Sequence, residues 1–552
     1  MNQPLSGETL LATVRDAELR RCISVCASAQ NDADRDLALR GLISVLQSAP
    51  LALWQRTAVE MANSGLVICA TALLHEILQR WPDSAEARHA LVEILWRSGD
   101  VAGAEALLEG SELATRDAHL ALQLARIRRN QGRFEGAAAA LKAAAGATWS
   151  DNVLLDALQF LKQCQHEAQA LEWCESELQR GRSDSRLYAT AGNLAMGLGR
   201  FELARERFQQ ALAQSIDLNT WYVPQALANC QRYADPNHPD RALFVMLRET
   251  PGLDARARAS LDFAMAKLAE ESGDIASAAV AFRSANALLR STAPWSRDAW
   301  LRQIEERMAQ PFDATRSLPP TDFRPLFVVG LPRTGTTLVA ERLARHAQVR
   351  SRGEPPLLQF IARQFGTLGA RVDRAALQQA ANMYMSQMRQ DDGAAPWYLD
   401  KDPLNFRYLD VAAKLFPQAR VVICQRQPRD TAVSIWTQYF AHPDYAFSCD
   451  FSDIRVVHDS ATALMQHWQA TLPLQMLSLD YERMVDDTAA VDAQLAQFLN
   501  LPALTPDEAE APREGTISSA SLWQARQPVY RNSLGRGERF AEFLPELRAA
   551  FP

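Results

Sequence analysis

The feature that most constrains this chain is a spacing. A glycine column runs through Gly65, Gly99, Gly132, Gln165 and Gly199, with glutamine standing in once, at intervals of 34, 33, 33 and 34 residues. Five residues after each comes an alanine: Ala70, Ala104, Ala137, Ala170 and Ala204. A further copy, Gly273 with Ala278, lies 74 residues beyond Gly199, so an irregular unit containing Ala234-Asp-Pro-Asn-His-Pro-Asp240 intervenes. The copies at 132 and 199 share the longer string Gly-Arg-Phe-Glu. This register suits a helix–turn–helix pair repeated along the chain. Glycine takes the positive φ where one helix stops, and alanine lets the next helix approach closely. One such pair cannot bury its own apolar face, so neighbours must stack.

With that punctuation, the stretch from about residue 50 to 295 resembles the tetratricopeptide repeat family. The resemblance implies an α-helical superhelix whose concave face takes a peptide or protein partner. A scaffold without a ligand is the alternative role, and an ordinary alanine-rich bundle is the alternative fold.

Bulk properties exclude several classes. A net charge of −7 over 552 residues speaks against nucleic-acid binding through bulk charge. No run of about 18 apolar residues suggests a membrane span. The N-terminus reaches acidic Glu8 and Asp16 early and does not read as a signal peptide. The 8 cysteines are sparse and form no zinc pattern, so they are expected to be reduced thiols in a cytoplasmic protein.

Residues 296–309 read as a last helix. Prolines 311, 319, 320 and 325 then forbid helix, and the pattern changes to strands alternating with helices. The expected division is a helical array over 1–309, a linker over 310–324 and an α/β domain with a central parallel sheet over 325–552.

In that last part, an apolar strand at 326–329 runs into Gly330-Leu-Pro-Arg-Thr-Gly335-Thr-Thr337 and then a helical pattern. Strand, glycine loop and helix together aim backbone N–H groups at an anion. The spacing matches a phosphate-binding loop, but Thr336 stands where a nucleoside triphosphatase has its lysine, which suggests an anion without a γ-phosphate. A second strand, Arg420–Cys424, leads to Arg426 and to Ser434 eight residues on, a second anion site. A third, Leu474–Leu479, leads to Asp480-Tyr481-Glu482. A magnesium role for Asp480, and with it a P-loop ATPase, is the competing reading.

These motifs resemble the sulfotransferase family that uses 3′-phosphoadenosine 5′-phosphosulfate (PAPS), in particular tyrosylprotein sulfotransferases and bacterial repeat-fused sulfotransferases. The resemblance spans about 325–540. It implies that Pro332, Arg333, Thr334, Gly335, Thr336 and Thr337 cradle the 5′-phosphosulfate. Arg426 and Ser434 would hold the 3′-phosphate, and Tyr481 lies in the family's Tyr-Glu pair. A late segment with Ser521 and, in Leu534-Gly535-Arg536, a basic residue would close over the nucleotide. Gly537 stands where bacterial relatives often carry tryptophan.

The same resemblance implies the chemistry. Arg333 would touch the sulfate and the bridging oxygen, with a surface ion pair as its alternative role. Glu354, in Gly353-Glu-Pro-Pro, would be the general base. Lys401, in Asp400-Lys-Asp-Pro, would stabilise the leaving group, with a salt bridge to Asp400 or Asp402 as its alternative. No metal is implied. The expected function is sulfuryl transfer to a tyrosine of a peptide or protein that the array recognises. The alternatives are transfer to a small metabolite, sugar or lipid, and a non-catalytic repeat scaffold.

Overall fold

The computed structural model describes residues 7–109, 111–365, 372–510 and 534–552. It divides into two compact units, Met1–Phe160 and Leu161–Pro552.

Within the first unit, antiparallel helix pairs such as Leu51–Asn63 with Val67–Arg80 and Ala118–Asn130 with Phe134–Ala143 follow the expected period. The turns adopt the left-handed backbone the register requires, with φ of 81° at Gly65, 88° at Gly99 and 82° at Gly132. Ala70, Ala104 and Ala137 are fully buried, so a larger side chain there would push the paired helices apart. The unit has its own core around Leu42, Trp54, Met61, Leu73 and Ile77.

The second unit holds the later helix pairs and the sheet. Gly199 and Gly273 repeat the left-handed turn, and Ala170, Ala204 and Ala278 are again fully buried. The irregular stretch between them contains two short helices, Val223–Ala228 and Pro239–Arg248. Arg205 clamps Asp240 through two bonds of 2.6 Å, and Tyr233 Oη donates to the same carboxylate.

The sheet has five parallel strands: β1 (Pro325–Gly330), β2 (Val349–Ser351), β3 (Trp397–Asp400), β4 (Arg420–Gln425) and β5 (Gln475–Asp480), in the order β2-β3-β1-β4-β5. Along β1 the side chains alternate between two cores. Phe327 and Val329 join a core that also contains Phe263, Phe282 and Trp300 of the later repeat helices, whereas Leu326 and Val328 join Val339, Leu343 and Leu495 on the other face. The later repeat helices therefore share one core with one face of the sheet, and the other face has a core of its own, as a parallel sheet with two buried faces requires.

Polar contacts follow the same seam. Asn286 Nδ2 donates to the Trp436 carbonyl at 2.9 Å, Trp300 Nε1 to Ser460 Oγ at 2.9 Å, and Arg307 Nη1 to both oxygens of Asp410 at 2.7 Å. Within the proline-rich stretch 310–324, Leu318 and Phe323 are buried, and Phe323 stacks on Tyr398. Among the described residues, no helix is long and apolar enough to cross a membrane.

Candidate active site

In a parallel sheet every strand ends on the same edge, and ligands gather there where the strand order reverses about the first strand. Here each of the five ends delivers an expected residue. β1 ends at Gly330 and feeds the loop 331–335; β2 ends three residues before Glu354. β3 ends one residue before Lys401, β4 one before Arg426, and β5 one before Tyr481.

The loop after β1 has no room for side chains at its glycines. A Cβ on Gly330 would lie 2.5 Å from the Cys424 carbonyl oxygen. One on Gly335, at φ 95°, would lie 2.7 Å from the Tyr481 ring and 2.9 Å from Met484 Cε. Between them Arg333 is itself left-handed at φ 71°, an uncommon conformation for a residue with a Cβ. Thr334 Oγ1 closes the turn by donating to the Leu331 carbonyl at 2.8 Å. Helix Thr336–Leu343 starts directly after the loop, so its unsatisfied N–H groups and positive dipole end lie at the cradle.

The two anion motifs meet at Arg333. Its Nε donates to Ser434 Oγ at 3.1 Å, and Arg426 Nη1 donates to its carbonyl at 3.2 Å. Arg426 lies over Tyr481, its Cζ 4.5 Å from the ring centroid. Burial pushes the Arg426 guanidinium below its ordinary value, opposed by Tyr481 and Asp430. Glu482 accepts from the Gln427 N–H at 3.0 Å, which ties the Tyr-Glu pair to the loop after β4.

On the other side of β1, Lys401 Nζ donates to Glu354 Oε1, and the Lys401 N–H donates to the Gly353 carbonyl at 2.9 Å. The expected alternative for Lys401, a bridge to Asp400 or Asp402, is not what forms. Asp400 is fully buried, accepting from Tyr384 Oη at 2.7 Å and Asn405 Nδ2 at 2.9 Å. Asp402 caps the following turn through the Leu404 N–H. Burial first, and then the charge of Glu354, push the Asp402 carboxyl up to about 6. The Tyr445 hydroxyl is pushed up by burial and by the charges of Asp402 and Glu354.

Arg536 comes within electrostatic reach of Arg426. Its fork, however, is engaged by Glu270 of the repeat helix Ala255–Glu271, Nε to Oε1 at 2.5 Å and Nη2 to Oε2 at 2.6 Å. Ser521 lies outside the described residues. Gly537 has a steric reason: a Cβ there would lie 2.9 Å from the Arg429 backbone and 3.0 Å from Asp430, whose carboxylate accepts from the Gly535 and Gly537 N–H groups.

Sequence reading missed Tyr445, Asp430 and Glu270 as neighbours of the site, and held Asp402 only as an alternative partner of Lys401. Only the Asp-Lys-Asp run carried a local signal for any of them.

Residues 325–506 match the sequence model described as the sulfotransferase family, and residues 70–127 match that of the tetratricopeptide repeat. Residues 325–506 form a sulfotransferase-family domain. An uncharacterised protein of Aquifex aeolicus (strain VF5) is 27% identical over 369 residues, covering 63% of this chain and 47% of that one. Protein-tyrosine sulfotransferase 1 of Danio rerio is 24% identical over 209 residues, covering 36% of this chain and 57% of that one. The chain thus spans about half the length of these curated relatives. Among solved structures, the sulfotransferase domain from the curacin biosynthetic pathway aligns at 18% identity and a TM-score of 0.27, covering 42% of this chain and 98% of that one. In this sulfotransferase-family domain, the matched segment contains the glycine cradle, Glu354, Lys401, Arg426, Ser434 and Tyr481.

Proposed function

We infer that this chain transfers a sulfuryl group from PAPS to an acceptor hydroxyl, and that the acceptor is a tyrosine of a peptide or protein. The observation that carries the reading is the Lys401–Glu354 pair, set on the same sheet edge as the glycine cradle and the Arg426–Ser434–Arg333 cluster. The acceptor assignment is supported by the glutamate and by the protein-tyrosine sulfotransferase from Danio rerio among the relatives.

The residues fit a donor phosphorylated at two places. The cradle admits no side chain at Gly330 or Gly335 and offers backbone N–H groups. Arg426 is a buried cation whose fork suits a phosphate. Pro332 to Thr337 would hold the 5′-phosphosulfate, Arg426 and Ser434 the 3′-phosphate, and Tyr481 the floor beneath Arg426. Ser521 and Arg536 belong to the closing segment in this reading, with Arg536 first having to leave Glu270. Bound, such a donor supplies a sulfuryl group on a phosphate leaving group.

Glu354 takes the proton from the acceptor hydroxyl as that oxygen bonds to sulfur. Lys401 and Arg333 supply positive charge where the bond from sulfur to the phosphate oxygen breaks and the electron pair stays with oxygen. Lys401 also holds the Glu354 carboxylate in place, so the base does not swing into solvent. The repeat array presents the peptide.

The test is incubation with radiolabelled PAPS and a panel of tyrosine peptides, small phenols, sugars and lipid alcohols. Label on tyrosine peptides is expected. Label on small hydroxylated compounds alone overturns the acceptor assignment, and no label on any of them overturns the activity.

A further inference from the structure

Five turns of the repeat column use glycine in the left-handed region, with φ between 75° and 92° at Gly65, Gly99, Gly132, Gly199 and Gly273. The remaining one is Gln165, at φ 65°. A residue with a Cβ is disfavoured there, so the backbone alone gives no reason for glutamine. The side chain does: Gln165 Nε2 donates to the Arg352 carbonyl at 2.8 Å, across 187 residues.

That carbonyl belongs to the peptide joining Arg352 to Gly353, directly before Glu354. Everything else about Arg352 is already fixed. Its N–H donates to Leu399 O on β3. Its guanidinium donates to the Met388 and Arg389 carbonyls and grips Asp392 with bonds of 2.8 and 2.6 Å. The freedom left is at Gly353, itself left-handed at φ 69° and the residue type most able to rotate. Two bonds remove that freedom, one on each side: Gln165 on the Arg352 carbonyl and the Lys401 N–H on the Gly353 carbonyl.

The geometry points to Gln165 as a positioning residue for Glu354, an inference that rests on Glu354 being the base. The repeat array then takes part in the chemistry itself, by fixing the peptide plane that aims the carboxylate, apart from any partner it binds.

Gln165→Gly tests this, because it restores the residue used at the other turns and relieves the left-handed backbone. Its Tm should equal or exceed that of wild type. Binding of 3′-phosphoadenosine 5′-phosphate, measured by calorimetry, should be unchanged. With saturating tyrosine peptide and labelled PAPS, kcat should fall about 5–50-fold at constant donor KM, between the loss of one hydrogen bond and a misplacement of about 1 Å. Amide hydrogen exchange should quicken over 350–354 and stay unchanged over 330–337. Gln165→Glu keeps the length but faces a carbonyl with an acceptor, and should lose as much. In a Glu354→Gln background, Gln165→Gly should cost nothing further.

If Glu354→Gln is crippled while Gln165→Gly keeps wild-type kcat and exchange, the positioning role is overturned and the base stands. If kcat falls together with Tm, Gln165 is a docking contact and the inference fails. If Glu354→Gln turns over like wild type, the base assignment fails and takes this inference with it.

Discussion

Lys401 and Glu354, 47 residues apart, form an ion pair that joins the end of β3 to the turn after β2. The lysine is almost wholly buried, while the glutamate keeps 30% of its side chain exposed. The pair thus has an anchored cation and an accessible carboxylate, as a base that must reach an incoming hydroxyl requires. Glu354→Gln keeps the size and removes the base. Turnover should fall about 10²–10⁴-fold. Calorimetry should show 3′-phosphoadenosine 5′-phosphate bound as tightly as before, since Glu354 is not among the residues expected to hold the nucleotide phosphates.

Arg426 is held between the Arg333 carbonyl and the Tyr481 ring. Arg426→Ala should weaken binding of the same nucleotide by about 2–3 kcal/mol, the range for a hydrogen bond to a charged group. Ser434→Ala should cost about 1 kcal/mol, the worth of one neutral hydrogen bond. Equal losses for the two would show that Arg426 serves only to support the loop.

The chain can be shortened at two places with opposite results. A form starting at residue 151 keeps helix Asp151–Gln163 whole and retains the core shared by the later repeats and the sheet. It should fold and bind nucleotide. A form starting at residue 312 removes Phe263, Phe282 and Trp300 from that core, and Arg307 from Asp410, a carboxylate whose own pKa burial raises. Stripping a buried carboxylate of its partner alone costs about 3–5 kcal/mol. That form should be insoluble or melt far below the longer one, read by calorimetry or light scattering.

Asp402 makes stability depend on pH. Its carboxyl titrates at about 6 against an ordinary 3.8, because of burial and the charge of Glu354. The folded state therefore holds the proton more tightly than the unfolded one. The stability this contributes is fully present below about pH 4 and is lost as pH rises through 6. Asp402→Asn removes the titration. From pH 4 to pH 7 its stability relative to wild type should rise by on the order of 2 kcal/mol, measured by urea unfolding at each pH. A constant difference across that range would mean that Asp402 is charged throughout.

What the sequence determined by itself was local. The repeat register was legible because a left-handed turn and a close helix contact each depend on one residue type at one position, and Gly65 and Ala70 satisfy both. The strands ending at Gly330, Gln425 and Asp480 were legible within a residue or so, and the glycine cradle with them, because apolar strand, turn and helix follow one another along the chain. β2 was not legible, since Val349–Ser351 is too short to carry an alternating pattern. Tertiary structure alone decided the long-range pairings. Lys401 chose Glu354 over its neighbours Asp400 and Asp402; Arg536 met Glu270, 266 residues away; and Gln165, the odd residue in a glycine column, reached the Arg352 carbonyl. The physical reason is the same in each case. A charge or an amide is satisfied by whatever partner packing brings within about 3 Å, and packing here joins the later repeat helices and one face of the sheet that carries the site in a single core.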